Sequence, residues 1–84
     1  MIKPTVGRQV WYRPTTSEMG WRHTQPFAAT VVHVWSDDVV NLAVLNEHGH
    51  TLRREGVILA QDRGAQPGEC EWMPYQIATA KAAT

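Results

Sequence analysis

Apolar and polar positions alternate along short stretches of this chain, and the stretches are bounded by glycine, proline and turn residues. Residues 8–13 predict a first strand, in which Val10 and Tyr12 alternate with Gln9, Trp11 and Arg13 between Gly7 and Pro14. Residues 14–26 are a polar excursion around Met19 and Trp21, long for a loop in a small domain. Residues 27–35 form the strongest strand pattern. Ala28, Thr30, Val32 and Val34 fall on one face and Phe27, Ala29, Val31, His33 and Trp35 on the other, so a central strand apolar on both sides is expected. Ser36-Asp37-Asp38 predicts a turn, residues 39–45 a β-branched strand interrupted only by Asn41, and residues 46–50 a hairpin with Gly49 at positive φ. A fourth strand over 51–59 changes its apolar phase at Gly56, which marks a bulge or a sharp bend. After a loop over 61–68, a brief strand over 69–73 stops at Pro74. The alanine-rich tail favours helix but is too short to hold one alone.

This order predicts an all-β fold, a small five-stranded SH3-like β-barrel with a long first loop and a short C-terminal tail. An OB-like barrel is the second choice, weakened by the lack of a helix between the third and fourth strands. The barrel is assigned to 1–76 and a flexible or weakly helical tail to 77–84. A domain of 84 residues removes only roughly 60–65% of its unfolded surface from water, so a ligand or a homo-oligomer contact is expected to add stability.

Charge and cysteine content narrow the function classes. Eight basic and eight acidic residues cancel, which argues against nucleic-acid binding by bulk charge, since that mode draws on counterion release by a basic surface. The balance is uneven, however. Lys3, Arg8, Arg13 and Arg22 face only Glu18 in residues 1–26, and an anion site in that third is expected. The single cysteine, Cys70, excludes an intramolecular disulfide and suits a reducing compartment. With neither a signal-peptide pattern nor an apolar run near the roughly 18 residues that span a bilayer, a cytoplasmic protein without membrane contact is expected.

The aromatic residues divide into two groups. Tyr12, Phe27 and Trp35 lie in alternating strands and are expected in the core. Trp21, Trp72 and Tyr75 lie on loops or at a strand end, where a ring can stack on a base or a partner side chain; the other reading is that Trp72 and Tyr75 close the barrel end by packing, and it is the one favoured for Trp72. Arg13, Arg22 and Arg8 are the candidate phosphate contacts, because a guanidinium offers a planar fork of donors to an oxyanion. Asn41, in an apolar strand, is expected to anchor the neighbouring loop or to line a pocket.

Catalysis is not expected. Asp37 and Asp38 read as turn residues, Cys70 is flanked by Glu69 and Glu71, which oppose thiolate formation, and the chain has no phosphate loop or nucleophile elbow. His48 and His50 suit a polar hairpin turn, so no metal and no cofactor are expected.

The stretches Lys3-Pro4-Thr5-Val6-Gly7-Arg8, Val10-Trp11-Tyr12, Ala28-Ala29, Val34-Trp35-Ser36-Asp37, Val40-Asn41-Leu42 and Cys70-Glu71-Trp72-Met73-Pro74-Tyr75-Gln76 together resemble a family of small uncharacterised proteins of tailed bacteriophages and prophages. The resemblance covers most of the chain. It implies a phage setting, and hence the cytoplasm of an infected bacterium. Small phage proteins of this kind are accessory virion or assembly parts, or early effectors that bind a host defence component or its nucleotide signal.

Two functions are therefore carried forward. One is a non-catalytic, homo-oligomeric sponge for a small anionic, nucleotide-like immune signal, with Trp21, Trp72 or Tyr75 on the base and Arg13, Arg22 or Arg8 on phosphate. The other is a protein–protein interaction module docking a host or virion protein through the aromatic patch at Trp72-Met73-Pro74-Tyr75.

Overall fold

Val10 and Tyr12, Ala29 and Val31, and Leu42 and Val44 are alternate residues of three successive strands, and all are buried. They line the inside of a closed five-stranded barrel. The computed structural model describes residues 1–19 and 25–82. Its elements are β1 (Gln9–Tyr12), α1 (Thr16–Met19), β2 (Phe27–Ser36), β3 (Val39–Leu45), β4 (Thr51–Ala60), β5 (Cys70–Glu71) and α2 (Pro74–Ala82).

The SH3-like all-β architecture expected from the pattern is present. Antiparallel pairing runs from β1 through β2 and β3 to β4. The barrel closes because β5 pairs antiparallel with β1, Tyr12 opposite Cys70, and parallel with β4, Leu59 opposite Cys70. Backbone bonds extend both seams of β1. Gly7 N–H donates to Val31 O at 2.8 Å before the strand, and Arg13 N–H to Glu69 O at 2.8 Å after it.

The long excursion carries one helical turn, α1, beside Pro14, which is buried. The hairpin after β3 is built by Asn46, whose Oδ1 accepts the N–H groups of His48 and His50, both at 2.9 Å, while Gly49 adopts φ +81°. The turn after β2 is closed by Ser36 Oγ on Asp38 Oδ1 at 2.9 Å. Turn-forming side chains thus satisfy backbone donors locally, as their sequence context predicts.

β2 departs from the expectation of a strand buried on both faces. Its register against β3 slips twice, between Val31 and His33 and again between Val34 and Ser36. Each bulge adds a residue to β2, so strict alternation is lost in its second half. Val32 and Trp35 are left outside, Trp35 at 65% exposure. The assignment of Trp35 to the core is therefore corrected, whereas Tyr12 and Phe27 are buried as expected.

The outer position of Trp35 is a bonded one. Asn41, on the outward side of β3, accepts the Trp35 indole N–H and the Gly56 N–H on one oxygen, each at 2.9 Å. Gly56 has φ +63°, and the β3–β4 register skips at this point, from Val40 opposite Val57 to Leu42 opposite Arg54. The bulge expected at Gly56 is thus present, and the one amide of the apolar strand holds it. Asn41→Ala is expected to destabilise the fold by about 1–2 kcal/mol, the usual cost of removing a bonded polar partner. Urea denaturation measures it, and a change below about 0.5 kcal/mol would show that the bulge stands without the side chain.

Candidate functional site

From Cys70 to Gln76 the chain leaves the barrel seam and starts a helix, and Cys70, Glu71, Trp72 and Gln76 on the way each have a structural partner. Cys70 points inward with no exposure. Burial pushes its thiol up to about 12, with the charges of Glu69 and Glu71 adding to the shift. A thiol so placed is the neutral, packed form and not a nucleophile.

Glu71, the next residue, points outward. Its Oε1 accepts the Arg13 Nε–H at 2.6 Å and its Oε2 the Ala65 N–H at 3.3 Å. Glu69 organises the preceding loop in the same way. Its Oε1 accepts from Arg63 Nη1 at 2.6 Å and from the Gln66 N–H at 3.0 Å. These donors hold the Glu69 carboxyl below its ordinary range, with the Arg63 bond the larger cause.

Trp72 turns back into the core and is 2% exposed. Its indole N–H donates to Gln61 Oε1 at 3.1 Å, an oxygen that the Ile2 N–H also approaches at 3.3 Å. The Gln61 Nε2 donates to Ile2 O at 2.9 Å and to Asp37 O at 3.0 Å. One glutamine therefore ties the N-terminal segment, the β2–β3 turn and Trp72 together.

Met73-Pro74-Tyr75-Gln76 is a helix start. Pro74 is the first residue of α2, where its fixed φ fits and its missing N–H is no loss. Gln76 Oε1 reaches back to the Met73 N–H at 2.7 Å, the acidic-or-amide half of a capping box. Its Nε2 donates to Gln9 O at 2.9 Å, which pins the helix to β1. Gln76 is the buried residue of the helix, while Tyr75 is 63% exposed.

Beyond that pin α2 is flanked by clefts. One of about 600 Å³ lies between the helix and the N-terminal segment and is walled by Ile2, Gln61, Arg63, Trp72, Ile77 and Lys81 among others. A second, of about 420 Å³, is lined by Trp11, Arg13, Glu71, Pro74, Ala78 and Lys81 among others. A third, of about 350 Å³, is lined by Ile2, Arg8, Tyr75, Gln76, Thr79 and Ala80.

The candidate residues are distributed around this helix. Arg8 and Tyr75 share the third cleft, and Arg13 borders the second. Trp72 reaches the first two only as part of their floor, and its burial corrects its assignment as an exposed stacking ring and agrees with the packing role at the barrel end. The stacking partner of that ring belongs to the chain itself. The Arg8 guanidinium carbon stands 5.1 Å from the Trp72 ring centroid, in cation–π range. Arg13 is paired with Glu71, and its guanidinium carbon lies 5.8 Å from the Trp11 ring centroid. Trp21 and Arg22 lie outside the described residues.

Three participants were not expected from the sequence. Gln61 and Lys81 had no pattern to distinguish them. Trp35, held by Asn41 and packed edge-on to His33 at 4.4 Å between ring centroids, is an exposed and oriented aromatic. Its signal, an apolar run broken twice by bulges, has no counterpart in strict alternation. Among the described residues, no group of three or more His, Cys, Asp or Glu is placed to hold a metal, and no helix is long and apolar enough to cross a membrane. Compared with family models, curated proteins and solved structures, the chain gives no significant match.

The Cys70 environment has a measurable consequence. With the thiol at about 12 when folded against an ordinary 9.0, a thiol reagent at pH 8 is expected to leave native protein unmodified and to label it fully in urea. The raised folded value also means that stability is intact below about pH 9 and falls as pH rises from there toward about 12, where the unfolded thiol ionises and the folded one does not. Rapid labelling of native protein at pH 8 would contradict the buried seam.

Proposed function

We propose that this chain is a non-catalytic binding module that takes a small anionic, nucleotide-like ligand in the cleft between Arg8 and α2. The observation that carries the reading is the pairing within one cleft of an exposed tyrosine ring and an arginine. A ring exposed at 63% offers a face to a base, and base–aromatic stacking contributes about 1–3 kcal/mol. The guanidinium above Trp72 is oriented before any ligand arrives, which lowers the ordering cost of binding.

Of the remaining arginine candidates in the described residues, Arg13 is less suited to phosphate. Its Nε–H is committed to Glu71, whose negative charge opposes an approaching anion. In the phage setting that the sequence resemblance implies, retention without turnover fits sequestration of a nucleotide immune signal in the infected cell. Subunit contacts would supplement the modest core of a chain this short.

A second reading, docking of a host or virion protein, is favoured by Trp35. This indole is exposed yet fixed by Asn41, and Ile58, opposite Val39 on the neighbouring strands, is exposed at 46%. An exposed aromatic held in one orientation is the kind of residue that serves as an interface hot spot.

Titration of the protein with a panel of mono- and dinucleotides by calorimetry separates the two. If the cleft is the site, Tyr75→Ala weakens the best-bound nucleotide about tenfold or more, while Trp35→Ala leaves it unchanged. Absence of binding across the panel, together with a protein partner lost on Trp35→Ala, would replace the first reading by the second.

A further inference from the structure

We infer that the Arg8–Tyr75 cleft selects its ligand by charge and size, taking one nucleoside unit whose single phosphate is a diester with one negative charge, as in a cyclic nucleoside monophosphate. The inference rests on the assignment of this cleft as the ligand site and names the class of nucleotide that fits it.

The charge inventory of the cleft leads to this. Ile2, Arg8, Tyr75, Gln76, Thr79 and Ala80 line it, so Arg8 is the one charged side chain among the described residues that border it. Other cations near α2 belong elsewhere. Lys81 lines the clefts of about 600 and 420 Å³, Arg63 lines the first of these and is paired with Glu69, and Arg13 is paired with Glu71. Lys3, next to Ile2, is exposed and lines none of the three clefts. Arg8 enters no ion pair among the described residues. Its contact with the Trp72 ring leaves N–H donors for an oxyanion, which a guanidinium meets through two parallel bonds.

One positive charge matches one negative charge. A phosphodiester carries a single one, whereas a phosphate monoester carries about −1.5 to −2 at pH 7 and a polyphosphate more. Surplus charge held against Ile2, Ala80 and the Tyr75 ring loses hydration without gaining a partner, which costs free energy. Surplus charge left in water gains nothing from the site. The cleft volume of about 350 Å³ lies near the lower end of small-molecule sites, roughly 300–1,000 Å³, which suits one nucleoside with its phosphate. A second nucleoside would extend past the walls that recognise the first.

Calorimetric titration in a buffer free of divalent cations tests the selection. For each base the probes are the nucleoside, its 3′,5′-cyclic monophosphate, its 5′-monophosphate and its 5′-triphosphate. For the preferred base, the cyclic monophosphate is expected to bind at least about tenfold more tightly than the nucleoside, because it adds a charge-assisted bond to Arg8. It is expected to bind at least about threefold more tightly than the 5′-monophosphate, with the triphosphate no tighter than the monophosphate. Arg8→Gln brings the cyclic form down to the level of the nucleoside, and Tyr75→Ala weakens every probe. A monophosphate or triphosphate that binds as tightly as the cyclic form, and is lost on Tyr75→Ala, overturns the selection and leaves the cleft assigned. Binding that is unchanged by Tyr75→Ala, or absent for every probe, overturns the assignment of the cleft and the selection with it. The ranking is read on the unmodified chain, so it stands whether or not Arg8→Gln folds.

Discussion

Closure of the barrel depends on a strand of two residues, Cys70 and Glu71. So short a strand cannot hold its place through ladder bonds alone. It is held from three directions: by Cys70 packed in the core, by Glu71 paired with Arg13 beyond the end of β1, and by Trp72 fixed to Gln61. Without that seam, β1 and β4 would be open edges, and the apolar lining from Val10 to Leu59 would face water. The aromatic run near the C-terminus is first of all the closing element of the fold.

Most of the architecture was legible because its determinants are local. The hairpin at Asn46, the turn at Ser36 and the bulge at Gly56 are each announced by a residue whose own chemistry demands them. Inward alternation in β1 and β3 survives intact in the structure for the same reason. Trp35 was not legible, and Trp72 was legible only as one of two readings, the packing one that its burial bears out. A bulge changes which residue points inward without changing composition, so the outward turn of Trp35 depends on pairing with β3. Trp72 lies at a strand end, which suggests exposure, but its indole N–H meets a glutamine eleven residues earlier in the chain, a long-range contact with no sequence period.

The burial of Trp72 changes how charge is arranged at the candidate site without removing the ring from it. Its π face supports the Arg8 guanidinium, so the residue acts through the cation it positions. On the far side of α2, Glu71 engages Arg13 with side-chain exposures of 15% and 35%, a partly solvated pair whose contribution is about 0–1 kcal/mol. That pair does more for geometry than for stability, since the same carboxylate also receives Ala65 N–H and so sets the loop wall of the larger cleft. The two flanks of the helix consequently differ: Arg8 stands over the Trp72 ring, whereas Arg13, near the Trp11 ring, is already joined to a carboxylate.

This asymmetry lies on either side of a helix whose start is the best-ordered part of its attachment. Helices of this length gain stability from tertiary contact more than from propensity, and the buried residue of α2, Gln76, lies in its first turn. The capping bond of Gln76 and the proline at the first position supply order where Tyr75 must be held. The turns beyond contribute walls to the clefts on either side of the helix.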